Sequence, residues 1–210
     1  HVEWQDGVNS ATDTWITREL SRAIDRFTEI FRDNPRTHGA AGWQMPIAAM
    51  RCIEKAGFDY CTDGRTTLPF AQAHYPVFRG EIISCPQLPT NLPTLDELIG
   101  TPGIGESNVH EHILNLTAPA ATQLPSCNGS FSHVFTLHAE LEGQRLLPIF
   151  ERLLSGWVAQ GYELVSTRKL FEVQATAQLP YMAAEQSEVP GRSGSLMFTT
   201  GPWPSGAKLK

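Results

Sequence analysis

The residue with the clearest capacity for chemistry is His138, which follows the apolar residues 134–137 and precedes Glu140 and Glu142. The apolar residues predict a strand, and a histidine held at a strand end can donate or accept a proton near neutral pH. Glu140 and Glu142 alternate along an extended chain and therefore share one side. Taken alone, the position slightly favours a plainer interpretation for His138, a ring hydrogen-bonded to backbone, and it favours a solvated turn for Glu142.

A second group of polar residues, Asp63 and Arg65, lies in a turn directly after the predicted strand 58–61. A carboxylate there can hold a histidine in one tautomer, and a guanidinium can bind a phosphate or a carboxylate. The plainer alternative is an Asx-turn with an exposed arginine, and the residues alone favour it. Trp43 follows a compact run of small residues at a predicted strand end, where it is either a core residue or a platform for a ligand.

The sequence signals for metal or cofactor binding are weaker than those for His138 and Asp63. His1 is a single histidine, and a metal site needs several ligands in suitable geometry. The four cysteines are far apart with no CxxC, which predicts scattered thiols rather than a zinc site or a disulfide framework: Cys52, Cys61, Cys85 and Cys127. The chain has no GxSxG, GxGxxG after a strand, P-loop or HExxH, which removes the common hydrolase, dinucleotide-binding and NTPase classes.

The elements that must position these residues follow from periodicity. Apolar spacing predicts amphipathic helices over 13–34, 46–56 and 146–160, and short apolar runs predict strands at 58–61, 82–85, 134–137 and 162–165. Alternation of helices and strands predicts an α/β fold with parallel strands. The polar groups come directly after strands, where sites gather in barrels and open α/β sheets.

Length and composition limit the classes of protein to which the chain can belong. The chain has 210 residues, 41% hydrophobic and 18% charged, which is typical of one globular domain. The net charge of −6 disfavours a nucleic-acid partner. No apolar run reaches the roughly 20 residues of a membrane span. We expect one main domain over residues 1–175 and a loop-rich tail over 176–210, because proline, glycine and serine dominate from residue 189.

Four segments together resemble the polysaccharide deacetylase (NodB-homology) superfamily. They are Ala40-Ala41-Gly42-Trp43, Thr62-Asp63-Gly64-Arg65 with Leu68-Pro69-Phe70, LPTLDELIG at 92–100 and TLHAELEG at 136–143. The last two are most similar to the deformylases that act on undecaprenyl-phosphate-linked 4-deoxy-4-formamido-L-arabinose. The resemblance implies a distorted (β/α) barrel. Because the chain starts at His1, we expect it to lack the first strands of that barrel.

The resemblance also implies roles for particular residues. Family members bind a divalent metal, zinc or similar, through an aspartate and the two histidines of HxxxH. His1 matches the second of these histidines, so we expect most metal ligands upstream of this chain. His138 matches the general acid, and Asp63 matches the aspartate that orients it. The superfamily often has an arginine near Gln44, and here Arg65 is expected to supply that charge. The expected substrate-binding residues are Arg65, Trp43 and Glu140.

The activity implied is metal-dependent hydrolysis of the N-formyl group of the lipid-linked sugar, a step of lipid A modification that gives resistance to polymyxin and other cationic antimicrobial peptides. The implied location is peripheral, on the cytoplasmic face of the bacterial inner membrane. We expect the 210 residues by themselves to be inactive. Two alternatives stay open: an N-deacetylase acting on polysaccharide or peptidoglycan, and a non-catalytic domain that binds a sugar or lipid headgroup.

Overall fold

A computed structural model describes residues 3–118, 132–175 and 178–204. The helices are α1 (Asp13–Phe31), α2 (Ile47–Ala56), α3 (Leu95–Leu98), α4 (Val109–Thr117), α5 (Leu147–Ala159) and α6 (Thr167–Gln174). The strands are β1 (Thr37–His38), β2 (Tyr60–Cys61), β3 (Arg65–Thr66), β4 (Tyr75–Phe78), β5 (Glu81–Ile82), β6 (Tyr181–Ser187) and β7 (Leu196–Pro202). The chain divides into two compact units, the first formed by residues 1–89 and 171–210 and the second by residues 90–170. This division differs from the predicted boundary at residue 175.

The first unit contains both sheets. β1 and β2 pair in parallel, with His38 opposite Cys61. The larger sheet has the order β3-β7-β6-β4-β5 and is mixed, because β3–β7 and β4–β6 are parallel while β6–β7 and β4–β5 are antiparallel. The mixed α/β architecture is compatible with the predicted fold class. Neither sheet closes into a barrel among the residues described, so the NodB-type barrel stays a prediction.

The loop-rich tail predicted over 176–210 is wrong for much of the described segment 178–204. Residues 181–187 and 196–202 form two seven-residue strands in the middle of the five-stranded sheet. Burial explains the difference, because Met182 and Ala184 of β6 and Leu196 and Met197 of β7 pack into the interior. Of the ten proline, glycine and serine residues from position 189 on, only five lie in the connection between the two strands, and the other five lie at residues 201–206.

Helix α1 shows how local sequence and packing combine in the first unit. Thr12 caps the helix by accepting a hydrogen bond from the backbone of Trp15, and Asp13 is the first helical residue, where the predicted helix begins. Ile16 and Leu20 are buried on the face that packs in the core with α2. The helix ends at Phe31, earlier than the Asn34 boundary predicted from the proline that follows it.

The second unit has its own apolar core. Its buried residues come from α3, α4 and α5 and the chain beside them: Leu92, Leu95, Val109, Ile113, Leu146, Ile149, Leu153 and Trp157. The Trp157 indole donates a hydrogen bond to the Thr117 hydroxyl at 3.1 Å, which pairs the buried N–H of α5 with the end of α4. The strands predicted at 134–137 and 162–165 are wrong, because both segments lack regular pairing. No helix in the described ranges is both long enough and apolar enough to span a membrane.

Candidate functional site

Asp63 is fully buried in the first unit and makes three hydrogen bonds. One carboxylate oxygen lies 2.6 Å from Nδ1 of His38, and the other accepts from the Gln87 amide at 2.9 Å. The backbone N–H of Asp63 donates to the same Gln87 side chain at 3.0 Å. A buried carboxylate is tolerated when its oxygens are hydrogen-bonded and its charge is paired. Both oxygens of Asp63 are hydrogen-bonded.

His38 reaches Asp63 through the pairing of β1 with β2, because the backbone N–H of Thr62 donates to the carbonyl of His38. The imidazole lies between the rings of Trp4 and Phe58, with centroid separations of 5.9 and 5.7 Å. Burial lowers the pKa of His38, but the charge and hydrogen bond of Asp63 raise it, and the net result is a raised pKa. The sequence predicted no functional role for His38.

Cys61 completes a cluster with His38 and Asp63. The nitrogen, sulfur and oxygen donor atoms of the three residues all lie within 4.8 Å of one another. These donor types are those that zinc binds in proteins, so the cluster is a candidate metal site. The predicted metal ligand His1 lies outside the described residues.

The geometry sets conditions on metal binding to this cluster. His38 and Asp63 are already hydrogen-bonded to each other, and the thiol of Cys61 lies 3.5 Å from that of Cys85. The contact with Cys85, together with burial, raises the pKa of Cys61. A metal therefore fits the donor types, but binding requires His38 to separate from Asp63 and Cys61 to lose its proton.

Trp43 and Arg65, both predicted to bind substrate, are brought together in the first unit. The guanidinium carbon of Arg65 lies 4.8 Å from the centroid of the Trp43 ring, and that of Arg192 lies 5.2 Å from the same centroid. Gly42 and Trp43 both have left-handed backbone, with φ of 61° and 54°, a conformation that costs energy at a tryptophan. The arrangement brings two cationic groups to one aromatic ring, which suits an anionic ligand.

Arg192 was missed by the sequence analysis because it lies in the segment predicted as a tail. It belongs to the connection between β6 and β7, and only the pairing of those strands brings it to Trp43. The sequence shows that Arg192 is a positive charge in a glycine- and serine-containing segment, but no local pattern relates it to Trp43, which is distant in the chain.

Gln44 connects two segments that are distant in the chain. Its buried amide accepts from the Asp6 backbone at 2.8 Å and donates to the Asp6 carboxylate at 3.0 Å and to the Ser193 carbonyl at 2.7 Å. Hydrogen bonds from Ser193 and Gln44 lower the pKa of Asp6. Gln44 thus joins the N-terminal segment to the β6–β7 connection.

His138 lies in the second unit, where its backbone is held by Glu142. The N–H of His138 donates to Glu142 at 2.6 Å, and the carbonyl of His138 accepts from the N–H groups of Leu141 and Glu142. Glu142 has no exposed surface, so the interpretation of this residue as part of a solvated turn is wrong. Residues 141–145 form a π-helical turn, a rare conformation that is frequently found at functional sites.

The ring of His138 has a carboxylate close to one nitrogen. Its Nδ1 lies 3.8 Å from Oδ1 of Asp96, and 29% of the side chain remains exposed. Glu140, predicted to bind substrate, is exposed on the turn that follows. The predicted action of Asp63 on His138 concerns residues of different units and stays a prediction.

Comparison with known proteins agrees with a relationship to deformylases. No protein-family model matches the chain. The chain is 26% identical over 196 residues to the probable 4-deoxy-4-formamido-L-arabinose-phosphoundecaprenol deformylase ArnD of Shewanella sediminis, a match that covers 93% of this chain and 58% of the relative. It is 23% identical over 199 residues to the protein of the same name from Wigglesworthia glossinidia brevipalpis, covering 94% of this chain and 64% of the relative.

These relatives support a related family. The chain spans about three-fifths of the length of both relatives. Both relatives are named as probable deformylases, which are hydrolases. The match extends over nearly the whole chain, so it includes both the His38–Asp63 cluster and the segment that carries His138.

Proposed function

We propose that the native protein containing this chain hydrolyses the N-formyl group of undecaprenyl-phosphate-linked 4-deoxy-4-formamido-L-arabinose, with His138 as general acid. The observation that carries the proposal is the environment of His138. A buried glutamate fixes its backbone while part of its ring stays open to solvent. A proton donor in catalysis needs both properties, a fixed position and access to the reacting atoms.

The chemistry explains why a histidine is needed. Hydrolysis breaks the bond between the formyl carbon and the sugar nitrogen, and water supplies the oxygen that becomes part of formate. The departing nitrogen must gain a proton, because an amide anion is a very poor leaving group, and His138 supplies that proton. The free amine is cationic at neutral pH, so the product sugar carries a positive charge to the lipid A that later receives it.

A divalent metal, zinc or similar, would polarise the formyl carbonyl and lower the pKa of a bound water. The proposed ligands are His1 and residues upstream of it, as the resemblance implies. Within the described residues, His38, Cys61 and Asp63 are the group with suitable donor types. Metal analysis of the native protein, with and without the Cys61→Ala substitution, distinguishes these two sets of ligands.

Substrate binding is assigned to the residues around Trp43. Arg65 and Arg192 would provide positive charge for the phosphodiester of the lipid-linked sugar, and both guanidinium groups lie against the buried Trp43 ring. Glu140 is exposed beside His138 and can accept hydrogen bonds from sugar hydroxyls. For a lipid-linked substrate of this kind, we propose a peripheral location at the cytoplasmic face of the bacterial inner membrane.

Release of formate from the lipid-linked formamido sugar tests the proposal. His138→Ala is expected to lower the rate on the order of 10²- to 10⁴-fold, with metal content unchanged, because loss of a general acid has effects of that size. His112→Ala on α4 is the matched control and is expected to release formate at the rate of the unsubstituted protein. Near-normal release by His138→Ala contradicts the acid role.

The same assay separates the alternatives. Release of acetate from an N-acetylated polysaccharide, with no formate from the lipid-linked sugar, assigns the protein to the N-deacetylases instead. Saturable binding of the lipid-linked sugar without release of either acid assigns it to binding proteins that lack catalysis.

A further inference from the structure

A buried ring nitrogen of His138 has no hydrogen-bond partner among the residues that the structure describes. That atom is Nδ1, and it lies 3.8 Å from a carboxylate oxygen of Asp96. Buried polar atoms are nearly always hydrogen-bonded, because an unsatisfied one has lost its hydrogen bonds to water without a replacement. We therefore expect Nδ1 to have a hydrogen-bond partner, and the carboxylate beside it is that of Asp96.

Asp96 is held in place by a well-defined helix start. Thr94 and Glu97 form a reciprocal capping box at the beginning of α3, in which the Thr94 backbone donates to Glu97 at 3.1 Å. Leu95 is completely buried and fixes the same turn to the core of the second unit. The Asp96 carboxylate thus projects from a rigid turn.

The backbone of His138 is also held in place. Its backbone N–H donates to the buried Glu142, so the ring can pivot about its own side-chain bonds while the backbone stays fixed. Nδ1 of His138 and Oδ1 of Asp96 are 3.8 Å apart. Because both backbones are held, a small rotation of the side chains is enough to form a hydrogen bond. Catalytic hydrogen bonds are often long without substrate and shorten in the substrate complex.

We propose that Asp96 is the positioning residue for His138: its carboxylate accepts a hydrogen bond from Nδ1–H, which leaves Nε2 to protonate the departing amine. The identity of the reaction rests on the proposed function, whereas the pairing of Asp96 with His138 does not. A carboxylate that binds one ring nitrogen sets the tautomer and orientation of the imidazole, as in hydrolases that use a histidine held by an aspartate. In the first unit, both oxygens of Asp63 accept hydrogen bonds from His38 and Gln87.

The pairing is tested on the 210-residue chain by the ring ¹⁵N shifts of His138, which report the nitrogen that carries the proton. Above pH 8, the unsubstituted chain is expected to carry it on Nδ1. Asp96→Ala is expected to shift the proton toward Nε2, and Asp96→Glu to restore Nδ1 in part. Asp96→Asn keeps the size of the side chain and provides the same comparison if the alanine variant folds poorly.

Two controls give the test its specificity. Glu151→Ala removes a carboxylate from the surface of α5 and is expected to leave the His138 tautomer as it is. Asp63→Asn is expected to change the ring shifts of His38 and not those of His138. An unchanged tautomer in both Asp96→Ala and Asp96→Asn overturns the proposal, and so does a change in the His138 tautomer caused by Asp63→Asn.

Turnover by the native protein supplies the second measurement. Asp96→Ala is expected to lower kcat for formate release at least about tenfold with little change in KM, because positioning of the acid matters at the transition state. If no variant releases formate but the tautomer responds to Asp96 as expected, the proposed function fails and the pairing stands. If formate is released normally by Asp96→Ala, the positioning role is overturned.

Discussion

The contact between His38 and Asp63 makes stability depend on pH at the scale of single residues. The pKa of His38 is raised in the folded protein, so folding favours the protonated ring. The stabilisation is therefore complete below the ordinary histidine pKa of about 6.5 and is lost as the pH rises through the raised value. The expected pH profile falls from near neutral pH upward.

Asp63→Asn is expected to flatten this profile, because the amide cannot provide the charge that favours the protonated ring. The measurement is the free energy of unfolding in urea at several pH values between 5 and 9, compared as a slope so that any constant loss of stability cancels. Asp59→Asn is the matched control, since Asp59 pairs with Arg36 at the surface. Equal slopes in the unsubstituted chain and Asp63→Asn would show that the contact has no such linkage.

The same contact shows how far the sequence can predict a site. Asp63 was singled out because a polar residue directly after a short apolar run is a local pattern. Its partner His38 lies 25 residues earlier and is joined to it through the pairing of β1 with β2, which no local spacing reveals. The pairing of Arg65 with Trp43 was likewise outside the reach of local patterns, although both residues were predicted to bind substrate.

At the scale of elements, the packing of α4 on α5 depends on Gly156. A Cβ atom added at this position would lie 2.5 and 2.6 Å from the two methyl carbons of Leu114. Glycine inside a helix costs about 1 kcal/mol relative to alanine, so its presence in α5 is explained by the close approach of the neighbouring helix.

Gly156→Ala is expected to destabilise the chain by about 1 kcal/mol, because overpacking of about 1–3 kcal/mol exceeds the gain in helix propensity. In a Leu114→Ala background the same substitution is expected to be neutral or stabilising, since the obstructing methyl groups are gone. Urea unfolding of the two single variants and the double variant measures this coupling. Additive effects of the two substitutions would show that the helices have room to adjust.

Helices and strands differ in how well the sequence predicts them. The periodicity of α1, α2 and α5 was sufficient, because a helix satisfies its hydrogen bonds within one segment. Strands need partners distant in sequence. Residues 134–137 have an apolar strand pattern but lack regular pairing, whereas β6 and β7 pair along their length despite flanking residues typical of loops.

The whole molecule depends on its C-terminal segment for the larger sheet. In the order β3-β7-β6-β4-β5, strands β6 and β7 stand between β3 on one side and β4 with β5 on the other. β6 pairs with β4 over Tyr75–Phe78, and β7 pairs with β3 at Arg65 and Thr66. Loss of the two central strands would leave β3 unpaired and β4 paired only with β5. An isolated two-stranded hairpin is at best marginally stable.

A chain ending at residue 175 is therefore expected to lose the cooperative thermal unfolding of the first unit, even though residues 1–175 were predicted from sequence to form the main domain. It would also free the edge of β4 that pairs with β6 and remove the buried Met197 from the core that contains Phe78. Circular dichroism and amide hydrogen exchange of α1 and α2 provide the measurement. The matched control is a chain ending at residue 204, which keeps both strands and is expected to unfold like the 210-residue chain. A 175-residue chain that protects α1 and α2 as well as the control does would show that the first unit folds without its central strands.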